Sequence, residues 1–232
     1  MRVLVFDTET TGLPKSRLLS PDTLHLWPHI VQFSYIVYDI DDNQILDIND
    51  EIVKIKKCMI IPDEATQIHG ITTQMSHSNG IEIESVLTDF FSRIKTVDTI
   101  VGHNVSFDID MVRVELMRII CDNARLREDV LVYKNHLHSL TTFENVYCTL
   151  KNTIELCDIQ AVSKYGKTYQ KYPKLAELHQ KLFSNVTPNH LHNSLNDIIV
   201  TLRCYIKLVI NKDLNVSCDE FANLMKKNDI LG

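Results

Sequence analysis

The 232-residue chain has few of the residues that break or staple a fold. Gly and Pro number six each and Trp occurs once. This excludes collagen-like, linker-like and Pro-rich low-complexity architectures, and no internal repeat is visible. The six cysteines, at 58, 121, 148, 157, 204 and 218, include no C-x-x-C pair. A structural zinc site therefore lacks its signature, and a chain this long buries enough core to need no disulfide framework. Most of the cysteines are expected to be reduced, buried thiols of an intracellular protein. His136 and His138 have no second ligand pair nearby and are expected in a polar loop. Positive charge is also scarce: 24 Lys and Arg stand against 30 Asp and Glu, a formal net charge of -6. Proteins that coat nucleic acid non-specifically are usually basic, so that class is disfavoured. Action on nucleic acid stays open where positive charge is local or metal ions supply it. The opening MRVLVFD is too short for a signal-peptide core, and no stretch reaches transmembrane length. The expectation is an intracellular protein, cytoplasmic or nuclear, with no membrane partner.

What is present is ordinary globular material, 44% hydrophobic and 23% charged. Length predicts one domain over 1–211 and a short, helical extension over 212–232 that could serve as a docking helix. β-branched, apolar runs predict strands at 2–6, 30–38, 45–55, 99–104 and 145–150, with an acidic turn joining the second and third. Helical spacing predicts helices at 81–95, 106–120, 175–183 and 194–210, a short helix or turn over 65–72 ending at Gly70, and a last short helix over 217–227. The charged stretch 121–144 yields no clear element. A hairpin meander followed by strand–helix–strand crossovers implies an α/β fold, a mixed sheet flanked by helices.

Three motifs carry candidate chemistry. Asp7 and Glu9 follow the first strand with Thr8 between them, and side chains two apart on an extended chain share one side. Two carboxylates there repel unless something positive joins them. Asp108 lies in the first turn of an apolar helix, within GHNVSFD. His192 precedes the last long helix and Asp197 lies inside it, within HLHNSLND. Five residues apart, the two are nearly one and a half turns separated, so the entry loop must bring the imidazole back. The first two motifs each have a plain reading, a polar strand exit and a helix-dipole partner, whereas Asp197 beside an apolar face is an odd core residue unless it binds something.

Taken in order, FDTETTGLP, HGIT, GHNVSFD and the H-x-x-x-x-D of the last helix resemble the DEDDh family, the DnaQ-like 3′→5′ exonucleases of the RNase H-like fold. The resemblance covers roughly residues 1 to 210. It implies a five-stranded mixed sheet of order 3-2-1-4-5, with strand 2 antiparallel to the rest. It implies two Mg²⁺ or Mn²⁺ ions held by Asp7, Glu9 and Asp197, with Asp108 acting on the second ion largely through water and His192 as general base. It implies a pocket for the terminal nucleotide lined by Thr10, Gly12, Leu13, His69, Asn104 and Phe107, with Leu13 as wedge. Plain readings remain beside these: a turn for Gly12, a helix cap for His69, core for Phe107. Cys148-Thr149 stands where many members carry Asp-Thr.

The family implies as partners the 3′ ends of nucleic acid, DNA before RNA, shortened to nucleoside 5′-monophosphates in proofreading or repair. An RNA exonuclease of the oligoribonuclease or RNase T kind and a polymerase-associated binding module are the alternatives. One further stretch, SKYGKTYQKYPK, interleaves Lys164, Lys167, Lys171 and Lys174 with Tyr165, Tyr169 and Tyr172, and no acid occurs between Asp158 and Glu177. Lysines can meet phosphates while tyrosines stack on bases; a solvated loop is the plainer alternative. Abundant Asn, Ile, Lys and Asp point to an AT-rich genome, a virus or phage among its sources.

Overall fold

A computed structural model describes residues 1–122 and 127–231. In chain order it contains β1 (Arg2–Thr10), a 3₁₀ turn (Pro21–Leu26), β2 (Ile30–Asp39), β3 (Gln44–Ile52), α1 (Asp63–His69), α2 (Thr73–Asn79), α3 (Ile83–Ile94), β4 (Thr99–Gly102) and α4 (Val105–Asp122). There follow α5 (Arg127–Thr141), β5 (Val146–Cys148), α6 (Thr149–Asn152), α7 (Ile154–Cys157), β6 (Gln160–Val162) and β7 (Thr168–Gln170). The chain continues through α8 (Leu175–Leu182), α9 (Ser194–Ile210), α10 (Leu214–Ser217) and α11 (Asp219–Lys227). The main sheet has the order β3-β2-β1-β4-β5. β2 runs antiparallel to both of its neighbours, and β1, β4 and β5 run parallel. This is the expected RNase H-like α/β arrangement.

Strand alternation sends β1 into two separate cores. Leu4 and Phe6 face one side of the sheet, against α3 and α4. Val3 and Val5 face the other, against α9 and its Ile198 and Leu202. On the first side, the Phe90 ring lies 5.0 Å from Phe6 and 4.9 Å from Phe33. Such aromatic pairs contribute about 0.5–1.5 kcal/mol each beyond their burial. On the second side, Arg203 of α9 is buried. It pairs with Asp213 at 2.8 Å and lies 3.9 Å above the Phe183 ring, tying α10 to α9 and α8. The two cores leave β1 rigid, with its C-terminal end emerging between α4 and α9.

Five findings depart from the sequence-based expectations. The first strand runs on through Thr10, so Asp7 and Glu9 sit on it rather than after it. Within the uninterpreted 121–144, residues 127–141 form α5, which packs on α4; residues 123–126 lie outside the described residues. His136 is not in a polar loop: it is buried on α5 and stacks on Phe91 at 4.2 Å. The lysine- and tyrosine-rich stretch is a β-hairpin, β6–β7. The segment 212–232 carries α10 and α11; Phe221 and Met225 of α11, and Ile230 after it, are buried in the second core, so its apolar face is covered by this chain itself. Among the described residues no helix is long and apolar enough to cross a membrane.

Candidate active site

The C-terminal end of β1 brings three distant segments together. Asp7 and Glu9 project from the α9 face of the sheet, as their spacing requires. One ligand oxygen from each of Asp7, Glu9 and Asp197 lies within 4.8 Å of the others. Asp108 enters from the opposite face at the start of α4. Its Oδ1 accepts hydrogen bonds from the Thr8 backbone N–H at 3.0 Å and the Thr8 hydroxyl at 2.8 Å. Thr8 therefore points away from Asp7 and Glu9 but holds the fourth acid beside them.

The start of α9 is stapled onto β1. The Ser194 hydroxyl donates to the Asp7 carbonyl at 2.6 Å, and the Ser194 N–H donates to Gln32 Oε1 at 3.2 Å. Gln32 Nε2 in turn donates to Asp50 Oδ1 at 2.7 Å, carrying the anchor across to β3. Asn193 caps α9 through the Asn196 N–H. These contacts set the depth at which Asp197 meets Asp7 and Glu9.

The electrostatics are those of a site built for cations. Burial, then the charges of Asp108, Asp197 and Glu9, push the Asp7 carboxyl well above the usual carboxylate range. Burial pushes Glu9 up to about 7 and Asp108 up to about 7, against the lowering effect of the Thr8 bonds on Asp108. Asp197 rises to about 8 through burial and the Glu9 charge. Its Oδ1 is buried and has no hydrogen-bond partner among the described residues. Crowded carboxylates with an orphaned oxygen are costly unless a positive charge joins them. An all-oxygen donor set suits hard divalent ions such as Mg²⁺ or Mn²⁺, so the residues present fit the expected metal.

His192 stays outside the acid cluster. It is exposed, its backbone has φ 66°, and its N–H donates to Asp197 Oδ2 at 3.1 Å.

Beside the acids runs a groove of about 470 Å³ lined by Glu9, Thr10, Gly12, Leu13, His69 and Phe107. Leu13 is 80% exposed, a large apolar side chain standing at its rim. Gly12 adopts φ 145°, which suits only glycine, and its carbonyl accepts from the Thr10 hydroxyl at 2.7 Å. His69 is buried; its Nδ1 accepts from the Ile71 N–H at 3.1 Å, and burial lowers its pKa. Asn104 does not line this groove. It is exposed, with φ 71°, and its carbonyl accepts from the Phe107 N–H as α4 begins.

The β6–β7 hairpin is rooted at the same end of the sheet. His103, just after β4, donates through Nε2 to the Pro173 carbonyl at 3.1 Å, and its Nδ1 lies 2.9 Å from the Thr149 hydroxyl. Burial pushes His103 down to about 4, so it is a neutral brace. Lys164, Lys167 and Lys174 are exposed, whereas Lys171 is paired with Glu177 at 2.6 Å. Tyr165 is 83% exposed at the hairpin tip.

The sequence motifs named all four acids and the histidine. They did not single out Thr8, Ser194, Gln32 or Asn196, whose roles appear only as contacts. The one hint was position: Thr8 lies inside the D-T-E triplet and Ser194 inside the H-N-S-L-N-D run.

Comparison with known proteins agrees with this geometry. The RNase T family profile, described as exonuclease, matches residues 4–205. No curated protein matches the chain by sequence. Among solved structures, Exonuclease I from Methylocaldum szegediense is similar, with a TM-score of 0.56 and 17% identity over 92% of this chain and 42% of that one. E. coli Exonuclease I in complex with a dT13 oligonucleotide gives a TM-score of 0.57 and 18% identity over 89% and 41%. The zinc-bound E. coli Exonuclease I–single-stranded DNA complex gives 0.57 and 17% over 90% and 41%. The chain spans about two fifths of the length of these proteins, and at such identities the likeness concerns the fold.

Proposed function

Because the chain belongs to the RNase T exonuclease family, we propose that it is a 3′→5′ exonuclease that removes nucleoside 5′-monophosphates from single-stranded or frayed DNA ends. The observation that carries this reading is the convergence of Asp7, Glu9 and Asp197, with Asp108 beside them, next to a groove with an exposed apolar rim. Three separate segments bring these acids to one strand end.

Asp7, Glu9 and Asp197 would hold two divalent cations, with Asp108 beside the second. Bound there, the ions acidify a water and neutralise charge building on the scissile phosphate and the departing 3′ oxygen. Asp7, at the centre of the cluster and crowded by the charges of Asp108, Asp197 and Glu9, would be the carboxylate best placed to hold the ions. Thr8 keeps Asp108 oriented by satisfying one of its oxygens, leaving the other for a bound water. His192 would take the proton from the attacking water on an imidazole nitrogen. Its exposed position requires the loop to turn inward when substrate arrives. Thr10, Gly12, Leu13, His69 and Phe107 would receive the terminal nucleotide, with Leu13 wedged against its base.

The hairpin lysines Lys164 and Lys167, with Lys174 at its base, and Tyr165 and Tyr169 would follow the strand 5′ of the reacting end. Lysines give sequence-independent phosphate contacts, and an exposed tyrosine offers a stacking face. Lys171 is excluded from this set by its Glu177 pair. The E. coli Exonuclease I structures contain bound DNA oligonucleotides, which favours DNA as the first substrate to try.

The test is incubation of 5′-labelled single-stranded DNA, duplex DNA and RNA with Mg²⁺ or Mn²⁺. A ladder shortening from the 3′ end, abolished by Asp7→Asn, is the expected result. A single mid-chain product, or equal activity in Asp7→Asn, overturns the reading.

A further inference from the structure

The family profile ends at residue 205, yet residues far beyond it touch the loop that carries His192. The Asn189 N–H donates to the Ile230 carbonyl at 2.7 Å, and the Asn189 side-chain amide donates to the Asp229 carbonyl at 3.4 Å. His190 Nε2 lies 3.5 Å from Asp229 Oδ2. Ile230 is fully buried in the second core, together with Phe221 and Met225 of α11. The tail is therefore an anchored element with its carbonyls aimed at the loop.

The other end of the loop is held by α9. The Asn196 side-chain amide donates to the His190 carbonyl at 2.9 Å, and Asp197 Oδ2 accepts from the His192 N–H. Between these two clamps, His190 and His192 both occupy the left-handed region, with φ 54° and 66°. Non-glycine residues there are strained, and such conformations persist only where surrounding contacts impose them. The His190–Asp229 pair is exposed on both sides and adds little. The main-chain bonds to Asp229 and Ile230 are what restrain the N-terminal half of the loop.

We infer that the C-terminal tail, Asp229 and Ile230, is a positioning element for His192. It limits the arc through which the loop moves, so that the imidazole returns to the acid cluster in a small set of orientations. This rests on the proposed role of His192 and extends it to a part of the chain outside the family's common domain. Misplacement of a reacting group by roughly 1 Å costs on the order of 10²-fold in rate. Loosening one of two clamps is expected to cost roughly 10- to 100-fold in kcat with KM nearly unchanged.

The test uses the full chain with Ile230→Ala, the conservative Ile230→Val, and each combined with His192→Ala, all assayed at saturating Mg²⁺ well below their melting temperatures. A chain ending at Lys227 is the second variant, and it removes both acceptor carbonyls outright. Ile230→Ala is expected to lower kcat, Ile230→Val to restore it, and Ile230→Ala to have no further effect once His192 is Ala. Amide exchange at Asn189 is expected to rise in the weakened variants while the Asp197 amide stays protected. Full kcat in a folded variant with a loosened tail, or losses that multiply with those of His192→Ala, overturns the inference. If His192→Ala alone keeps full kcat, the base assignment fails. Amide exchange then still judges the tether: unchanged protection at Asn189 refutes it.

Discussion

The buried acid cluster makes a prediction about stability that needs no substrate. In the metal-free protein the carboxyls of Asp7, Glu9, Asp108 and Asp197 all have folded-state pKa values above their usual ones. The folded state then binds more protons than the unfolded chain from about pH 4 upward. Stability is fully present below that point and declines as pH rises through the folded values of about 7 for Glu9 and about 8 for Asp197. For Glu9 alone, the rise from 4.5 to about 7 amounts to about 3 kcal/mol above pH 7, at about 1.4 kcal/mol per pH unit. For a domain of this size that is about 6–12 °C in Tm. Divalent cations bind the deprotonated cluster and reverse the loss. At a concentration about 100 times Kd, Mg²⁺ or Mn²⁺ should add about 2.7 kcal/mol, or about 5–11 °C. Thermal melts at pH 5.5 and 8.5, with EDTA or with the ion, read this directly. The metal-induced rise should be large at pH 8.5 and small at pH 5.5. Asp197→Asn removes one repelling charge, so it should raise the metal-free Tm at pH 8.5 while abolishing the metal-induced rise. Equal rises at both pH values, or a metal response that survives in Asp197→Asn, would refute the reasoning.

Three further perturbations probe the supports of the site. Thr8→Val strips Asp108 of its hydroxyl partner and should cost about 1–3 kcal/mol in urea denaturation, with a larger loss in kcat than in KM. In Gly102→Ala, the new Cβ would stand 2.8 Å from Val105 Cβ and 3.3 Å from the Phe6 carbonyl. The β4–α4 junction must shift and Asp108 with it, so Tm and activity should fall together; an active variant with unchanged Tm would contradict the close approach. Replacing Lys164 and Lys167 by Ala should reduce the salt dependence of single-strand binding by a log–log slope of about 1.4 and leave kcat intact, whereas Lys171→Ala should leave that slope unchanged and weaken the packing of α8.

How much was legible in the sequence differs from element to element. The five main strands and the helices α3, α4, α8 and α9 follow from local patterning, because period 2 and period 3.6 are visible within a single segment. α5 was not legible. Its inward residues Val130, His136 and Leu140 are interspersed with exposed Leu131 and Val132, so the apolar stripe is blurred, and a histidine stacked on Phe91 does not read as core. The hairpin β6–β7 was hidden by its lysines, since a two-stranded ribbon exposed on both faces has no alternating apolar pattern to reveal it.

The four acids and His192 were nameable from motif order alone, as was the fact that Asp7 and Glu9 must share a face, because a strand's geometry acts over two residues. The chain order of strands and helices likewise reflects local chemistry. Whether Asp108 reaches Thr8, a hundred residues earlier, depended on how α4 packs against the sheet. So did the Ser194 bond to Asp7, which joins residues 187 apart, and the tail's hold on Asn189. Sequence patterns record what neighbouring residues do to one another. Contacts across such separations exist only once two cores have fixed the angle between sheet and helix, and that angle is a property of the packed molecule.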